Sequence, residues 1–285
     1  MPGCYKDVKD TTAIAQFKVQ ENEQSEFLFK GHNNPVYLLA WTTTPWTLLS
    51  NTALAVGPKL QYVKVRTLNP YTQEEITVVL AKSLLHTLFP EKNKALAFED
   101  FKGGKNVPYE VLEEFTGKAL DGVRYEQLLP YRQPETGDAF RVVTGDFVTI
   151  EEGTGVVHIA PSFGADDYKI GHDYGIGALT LVNKQGRFVD GVGEFSGRFV
   201  KNEYDENIPD DADTVDVDIV VKLKNEGKLF KTEKYTHKYP HCWRTDKPIL
   251  YYPLDAWFIK TTAVKDKMIA LNKTINWQPE YTGTG

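Results

Sequence analysis

One stretch, residues 41–51, constrains the fold of this chain more than any other. It reads Trp-Thr-Thr-Thr-Pro-Trp-Thr-Leu-Leu-Ser-Asn and sets hydroxyl groups between two large aromatic rings. The run before it, residues 36–40, is β-branched, aromatic and aliphatic, which predicts a buried strand. Pro45 cannot continue a strand but is tolerated at the first position of a helix. We therefore expect Thr44 to be the N-cap of a short helical turn over residues 45–49.

Side chains alternate across a strand, so Thr42 and Thr44 are expected on one face and Thr43 on the other. Hydroxyl groups beside free backbone N–H groups suit a small polar ligand and a developing negative charge. The alternative is a capped turn in which the threonines serve only β-propensity. Both interpretations stay open at this point.

The size and composition of the chain limit the class of protein. A chain of 285 residues can bury a sizeable core, and one large domain or two domains are both possible. No apolar run is long enough to span a membrane and no apolar signal segment opens the chain, so we expect a cytoplasmic protein without a membrane partner. Only two cysteines occur, which excludes a disulfide scaffold. A net charge of −6 argues against general coating of nucleic acid but leaves a local basic face possible.

Hydrophobic periodicity predicts short strands with helices between them. A hairpin is expected over residues 11–30, strands over 53–56, 62–65, 76–80, 142–150 and 156–159, and a ribbon over 235–260. Helices are expected over 83–89 and 109–115, from the acidic residues after Pro161 to Gly175, before Gly227, and over 263–271. The lysine-rich residues 92–105 are interpreted as a solvated loop, with a contact to RNA phosphate as the alternative.

A second cluster reads Gly-Thr-Gly-Val-Val-His over residues 153–158 and continues to Asp166 and Asp167. Glycines before a strand let a ligand or another backbone approach closely. No Gly-Lys-Ser/Thr follows, so this is not a P-loop. His158 lies at a strand end, where it is either functional or a hydrogen-bonded structural residue. Asp167 near a helix start either favours the helix dipole or anchors an ammonium group.

Three kinds of chemistry fit these residue types. A Ser/His/Asp arrangement from Ser162 and His158 lacks the Gly-x-Ser-x-Gly elbow. Two metal sites have no known ligand spacing; they would use His158, Asp166, Asp167 and His172, or His237, His241 and Cys242. A pocket that binds an amino-bearing ester and positions water is the remaining interpretation, and no metal ligand is expected.

Together, residues 41–51 and 153–168 closely resemble the two signature stretches of the editing domain inserted in isoleucyl-tRNA synthetase. Valyl and leucyl relatives have an arginine after the second threonine, so Thr44 followed by Pro45-Trp46 indicates the isoleucyl branch. Leu49 departs from the family, where proline is usual. Residues 239–244 and 257–260 match the family as well, so the resemblance covers nearly the whole chain.

The resemblance implies a mixed α/β fold: a β-barrel-centred editing domain of the valyl/isoleucyl/leucyl type, with peripheral helices and a connecting β-ribbon. The expected organisation is an incoming linker strand over residues 1–14, the editing domain over 15–230, and a returning ribbon and helix over 231–285. On this interpretation the chain is a segment of a longer protein whose synthetic core lies outside it.

The function implied is hydrolysis of valine wrongly esterified to the isoleucine tRNA. A pocket for isoleucine rejects a side chain one methylene smaller by only about 10–200-fold, a limit for which isoleucyl-tRNA synthetase is itself the standard example. The His-x-Gly-His and Lys-Met-Ser-Lys-Ser signatures of the synthetic site are absent from this chain, so we expect editing without amino-acid activation. No cofactor is expected, because ATP and Mg belong to the synthetic core. The expected partners are the tRNA 3′ end carrying valine and the rest of the synthetase. The alternatives are a non-catalytic tRNA-binding insertion, or the editing domain of a valyl or leucyl relative.

The resemblance also implies roles for individual residues. Asp167 would hold the substrate's α-amino group and must stay ionised to do so. The expected wall that orients the ribose and the attacking water consists of Thr42, Thr43, Thr44 and Asn51. The other expected substrate-binding residues are Trp41, Trp46, Thr47, Gly153, Thr154, Gly155, His158 and Asp166, of which Thr47 and His158 would form a floor for the side chain. No side chain is an obvious general base, so positioned water and oxyanion stabilisation would supply the rate.

Overall fold

A computed structural model describes residues 4–209 and 212–283 of the chain. The chain divides into two compact units, Met1–Tyr252 and Pro253–Gly285, and each is described by itself. The expected boundaries at 14/15 and 230/231 fall inside two long strands, and the functional division that they mark stays a prediction. Residues 1–3 of the expected linker and residues 284–285 of the expected return segment lie outside the described residues.

Two sheets build the first unit. The strands are β1 (Tyr5–Lys18), β2 (Val36–Thr42), β3 (Ala53–Val56), β4 (Gln61–Leu68), β5 (Glu75–Ala81), β6 (Tyr109–Thr116), β7 (Arg141–Thr144), β8 (Val156–Ile159) and β9 (Leu229–Pro240). The larger sheet has the order β6-β4-β5-β2-β1-β9 and the smaller one the order β7-β3-β8.

Short helices lie between the strands. They are α1 (Glu26–Phe29), α2 (Leu85–Leu88), α3 (Ala165–Tyr174), α4 (Val215–Asn225) and, in the second unit, α5 (Lys265–Asn272). The mixed α/β class is confirmed, and closure of the sheets into a barrel stays a prediction. Within the described residues, no helix combines the length and the apolar character that crossing a membrane requires.

Strands β1 and β9 form the expected two-stranded ribbon. They pair antiparallel from Tyr5 opposite Pro240 to Ala15 opposite Leu229. Strand β1 also pairs with β2, with Ala13 opposite Thr42, so the ribbon leads directly to the threonine-rich stretch. The expected ribbon over 235–260 is shorter than predicted, because β9 ends at Pro240.

The expected hairpin over residues 11–30 is wrong. Residues 26–29 form α1, and β1 takes its partners from distant parts of the chain. The reason is burial: residues 11–17 of β1 are all buried, so this strand needs a neighbour on each edge and cover on both faces. A local hairpin supplies only one edge partner.

The expected helix over residues 109–115 is also wrong, because this segment is β6 and pairs antiparallel with β4. The hydrogen bonds to β4 satisfy its backbone, and this tertiary pairing outweighs the local helical pattern. The expected strand over 142–150 ends early, at Thr144. The remaining expected strands and helices are present, with shifts of a few residues at their ends.

A fully buried tyrosine links the larger sheet to the glycine-rich loop. Tyr62 on β4 donates its hydroxyl proton to the carbonyl of Gly155 at 2.6 Å and accepts the N–H of Gly57 at 2.9 Å. Burial raises the pKa of Tyr62 to about 12, so it stays a neutral donor. The loop that carries Gly155 is therefore fixed against the core of the first unit.

Candidate active site

A cavity of about 330 Å³ lies where the end of β2, the strand β8 and the first turn of α3 meet. It brings the two predicted stretches together. Its lining consists of Trp41, Thr42, Thr43, Thr44, Thr47, Thr149, Glu152, Gly153, Thr154, Gly155, Val156, Val157, His158, Ala160, Phe163 and Asp167. A volume of this size suits a small ligand rather than a folded partner.

The threonine turn, residues 42–50, comprises the end of β2 and a 3-10 helix over Pro45–Ser50. Thr44 occupies the N-cap position as predicted, but its side chain does not cap the helix. Its hydroxyl oxygen lies 3.3 Å from the hydroxyl oxygens of both Thr42 and Thr47, and its N–H donates to the Thr42 hydroxyl at 3.1 Å. The expected side-chain cap is therefore wrong, because neighbouring hydroxyls engage the Thr44 side chain instead. The outcome is a continuous row of three hydroxyls on the cavity wall.

His158 closes this row at the end of β8. Its Nε2 lies 3.0 Å from the hydroxyl oxygen of Thr47, and the Thr47 hydroxyl donates its only proton to the carbonyl of Thr44 at 2.8 Å. Nε2 must therefore carry the proton that lies between His158 and Thr47. The other ring nitrogen, Nδ1, is buried and has no hydrogen-bond partner among the described residues. Burial lowers the pKa of His158 to about 4, so the ring is neutral at physiological pH.

Helix α3 contributes one carboxylate to the cavity lining, that of Asp167. It lies in the first turn of α3, and its Oδ2 accepts the N–H of Ala160 at 2.8 Å. Burial raises its pKa to about 6, and the N–H of Ala160 partly offsets this effect. The carboxyl is consequently mostly ionised at pH 7. Asp166, one residue earlier, is exposed and does not line the cavity.

The glycine-rich loop presents its backbone to the cavity. Gly153 and Gly155 have φ of +79° and +71°, which only glycine adopts readily. A Cβ on Gly155 would lie 2.3 Å from the Cβ of Ala81, and one on Gly153 would lie 3.1 Å from the Trp41 ring. The carbonyl of Thr154 accepts the N–H of Ala81 at 2.8 Å, which holds the loop against β5. A ligand can therefore come close to the main chain at Gly153 and Gly155, because these residues carry no side chain.

Two residues predicted for the site point elsewhere. Trp46 is buried and packs edge-on against Phe163, with ring centroids 5.0 Å apart. Asn51 is buried, accepts the Tyr125 hydroxyl proton at 2.8 Å and donates to the carbonyl of Ala53 at 2.8 Å. Neither side chain lines the cavity, so their roles toward a substrate stay predictions.

Several lining residues were not predicted, above all Glu152. Its carboxylate accepts the hydroxyl proton of Tyr235, a residue of the ribbon, and the Tyr235 ring packs edge-on against Trp41. The other unpredicted lining residues are Thr149, Val156, Val157, Ala160 and Phe163. Their signal in the sequence was position alone, since all of them lie within a few residues of the glycine-rich loop or His158.

The side chains of the alternative Ser/His/Asp and metal sites make other contacts. Ser162 shares a hydrogen bond of 2.7 Å with Thr180 rather than with His158. His237 pairs with Asp10 at 3.1 Å, and His241 contacts the carbonyl of Tyr239 at 2.9 Å. Across residues 4–209 and 212–283, no three histidine, cysteine or acidic side chains lie close enough together to hold a metal ion.

Comparison with known proteins gives close relatives over the whole chain. The chain is 52% identical to a segment of isoleucine–tRNA ligase from Bacteroides fragilis, covering 100% of the chain and 27% of that protein. The corresponding protein of Cytophaga hutchinsonii is 51% identical, again over 100% of the chain and 27% of the relative. That of Clostridium acetobutylicum is 43% identical over 99% of the chain and 23% of the relative. The chain thus spans about a quarter of the length of these curated relatives.

No family model matches the chain. Among solved structures, it is similar to the editing domain of the P. knowlesi cytosolic leucyl-tRNA synthetase, with a TM-score of 0.45 and 16% identity over 58% of this chain and 62% of that one. The corresponding P. falciparum domain has a TM-score of 0.40 and 11% identity over 57% and 67% of the two chains.

Proposed function

Because this chain is homologous over its whole length to one segment of the isoleucine–tRNA ligases, we propose that it is an editing domain that hydrolyses valine from mischarged isoleucine tRNA. One observation carries the proposal: an ionised carboxylate, a row of hydroxyls and a neutral imidazole converge on one small cavity. The expected partners are the tRNA 3′ end and the rest of the synthetase, in the cytoplasm. ATP and Mg would act at the synthetic core and not here.

The first step is recognition of the amino group. Asp167 offers a carboxylate that lines the cavity and is mostly ionised at pH 7. The α-amino group of an esterified amino acid is a cation near neutral pH. Pairing the two would lower the pKa of Asp167 and fix the position of the ester relative to the threonine turn.

The second step is attack by water on the ester carbonyl. The hydroxyls of Thr42 and Thr44 can donate or accept, so they can hold a water molecule or the oxyanion that develops. The Thr47 hydroxyl gives its proton to the carbonyl of Thr44 and can only accept. His158 is unsuited to remove a proton through Nε2, because that nitrogen already carries one toward Thr47. The rate would therefore come from positioning the ester and water in a preorganised polar site.

The third step is selection by size. His158 and Thr47 are held together at 3.0 Å and form a firm part of the cavity wall. A side chain with one more methylene must displace this wall, which costs about 1–3 kcal/mol in a well-packed interior. This would protect isoleucine and leave valine open to hydrolysis.

A deacylation assay tests the proposal. The 285-residue chain, incubated with isoleucine tRNA carrying valine, should release valine faster than buffer alone. The net charge of −6 predicts weak RNA binding, so micromolar protein is advisable. Amino-acid-dependent ATP–pyrophosphate exchange should be absent.

The control is the Asp167→Ala variant, which removes the proposed ammonium partner and whose folding is checked by circular dichroism. If valine stays attached at the buffer rate even at saturating wild-type protein, the proposed hydrolysis is wrong. Retained binding of the tRNA under those conditions would instead favour a non-catalytic tRNA-binding insertion.

A further inference from the structure

An acidic residue of α4, Asp216, holds the backbone of the threonine turn through a hydrogen bond. Asp216 lies near the start of α4, is 3% exposed, and accepts the backbone N–H of Trp46 through Oδ1 at 2.8 Å. The first N–H groups of a helix have no partner within the helix, and Pro45 has none to offer. Asp216 therefore satisfies a donor that the turn itself leaves open.

Asp216 is held in place by a partly buried group of ionisable side chains. The Nζ of Lys201 lies 3.8 Å from Asp216 and 3.3 Å from Asp10, and the His237 ring lies 3.1 Å from Asp10. The Lys201 ammonium also lies 4.8 Å from the centre of the Tyr239 ring. Buried charges persist in a fold only when they are paired in this way. The group joins α4 to both strands of the ribbon.

The contact of Asp216 with Trp46 affects the cavity because of where Trp46 lies in the threonine turn. Trp46 lies between Thr44 and Thr47, which line the cavity, while the Trp46 side chain is buried and does not line it. A shift of the Trp46 backbone would move both hydroxyls together. Displacements of about 1 Å in a positioned site can cost up to about a hundredfold in rate.

We propose that Asp216 is a positioning residue for the editing reaction, which fixes the threonine turn through the N–H of Trp46. The inference rests on the proposed hydrolysis and deepens it, because it names a residue outside the cavity on which the geometry of the hydroxyl row depends. Asp216 contacts no substrate in this scheme and acts only through the turn.

The charge of Asp216 and its hydrogen bond are separable. Burial raises the pKa of Asp216 to about 7, although Lys201 and the Trp46 N–H act in the opposite direction. Asp10 and Glu203 also face this carboxyl and raise its pKa further. A neutral carboxyl or an amide still presents a carbonyl oxygen to Trp46. The acceptor, rather than the charge, is therefore the feature that the turn requires.

The test compares two variants of similar side-chain size, of which only one keeps a hydrogen-bond acceptor for the Trp46 N–H. Both carry Lys201→Met, so that loss of the Asp216 carboxylate does not leave a buried ammonium with one of its two carboxylate partners missing; one adds Asp216→Asn and the other Asp216→Leu. The amide and the leucine side chain are similar in size, but only the amide accepts a hydrogen bond. Asp218→Ala is the matched control, since Asp218 lies on the same helix, is partly exposed and pairs with Arg198 rather than with the threonine turn.

Steady-state deacylation of valyl-tRNA for isoleucine and hydrogen exchange of the Trp46 amide are the two measurements. We expect the leucine variant to lose about tenfold in kcat relative to the asparagine variant, with KM changed less than about twofold. Its Trp46 amide should exchange faster while the strands of the sheet stay protected. The Asp218→Ala variant should match the wild type in both measurements.

Equal kcat values in two folded variants, or equal Trp46 exchange in both, would overturn the inference. Loss of protection throughout the leucine variant would do the same, because it would mean that Asp216 supports the whole fold rather than the turn. A wild-type chain that releases no valine is a different result, since it rejects the proposed hydrolysis itself.

Discussion

The Nε2 atom of His158 lies 3.0 Å from the hydroxyl oxygen of Thr47, and this contact decides the protonation of the imidazole. Because Thr47 gives its proton to the carbonyl of Thr44, His158 must donate rather than accept. A neutral ring that is protonated at Nε2, and whose pKa burial lowers to about 4, is suited to form part of the cavity wall rather than to act as a base.

Replacing His158 with alanine should therefore relax selectivity rather than abolish chemistry. The space that opens should admit the extra methylene of isoleucine, so the variant should gain activity on correctly charged isoleucyl-tRNA and keep some on valyl-tRNA. Deacylation of the two esters measured side by side gives the answer. His158→Gln, which keeps an N–H for Thr47 and most of the bulk, should remain selective. Loss of both activities in the alanine variant would identify His158 as a base.

Replacing Asp167 with alanine should remove the partner of the substrate ammonium. The expected loss is about 1.5–3 kcal/mol, the scale of a hydrogen bond to a charged group, or roughly ten- to a hundredfold in kcat/KM. Asp166→Ala is the matched control, because Asp166 is exposed and outside the cavity lining. Equal losses at the two positions, with both variants folded by circular dichroism, would show that Asp167 is not the specific partner of the substrate ammonium.

The pH dependence of kcat/KM should report Asp167. Its pKa is raised to about 6, so kcat/KM on valyl-tRNA should fall as the pH drops below about 6 and the carboxyl becomes neutral. The same fall in kcat/KM at low pH should persist in the Asp216→Asn variant, which has no carboxyl at position 216. Activity that is constant between pH 5 and about 7 would contradict an ionised Asp167 as the ammonium partner.

Stability should respond to this carboxyl in the opposite direction. A carboxyl whose pKa is higher in the folded than in the unfolded chain binds its proton more tightly when folded. Its contribution to the free energy of unfolding therefore falls as the pH rises from about 4 to about 6. Denaturant titrations of wild type and Asp167→Asn across this range measure the difference.

Replacing Tyr125 with phenylalanine should lower stability without touching the cavity. The change removes the hydroxyl that donates to Asn51 and leaves a buried amide oxygen without this partner, at a cost of about 1–3 kcal/mol. Urea titration measures the loss, and kcat on valyl-tRNA should stay within about twofold of wild type. If kcat falls tenfold instead, the orientation of Asn51 matters to the reaction, as the family resemblance implies.

Local chemistry made much of this molecule predictable. Buried strand β2, the turn at Pro45, the strand β8 after its two glycines and the helix that ends at Gly175 all follow from the residues that form them. The family resemblance carried by these stretches implied one candidate site with Thr42, Thr44, His158 and Asp167, and the cavity contains all of them.

Local patterns failed where the partner decides the structure. Residues 109–115 have a pattern compatible with a helix but form β6, because β4 offers them a ladder of hydrogen bonds. The pattern of residues 11–30 predicts a hairpin, but residues 26–29 form α1, because β1 takes its neighbours from residues 36–42 and 229–240.

The sequence by itself therefore determined the strands, the turn and the helix end of the two signature stretches, because such preferences act over a few residues. The class of fold and the roles of the carboxylate and imidazole followed from the family resemblance that these stretches carry. Only the tertiary structure decided that Asn51 faces Tyr125, that Glu152 joins the cavity lining beside the ribbon, and that Asp216 holds the backbone of Trp46. The physical reason is separation along the chain: Asp216 and Trp46 are 170 residues apart, and a hydrogen bond between them exists only after both sheets and α4 have packed.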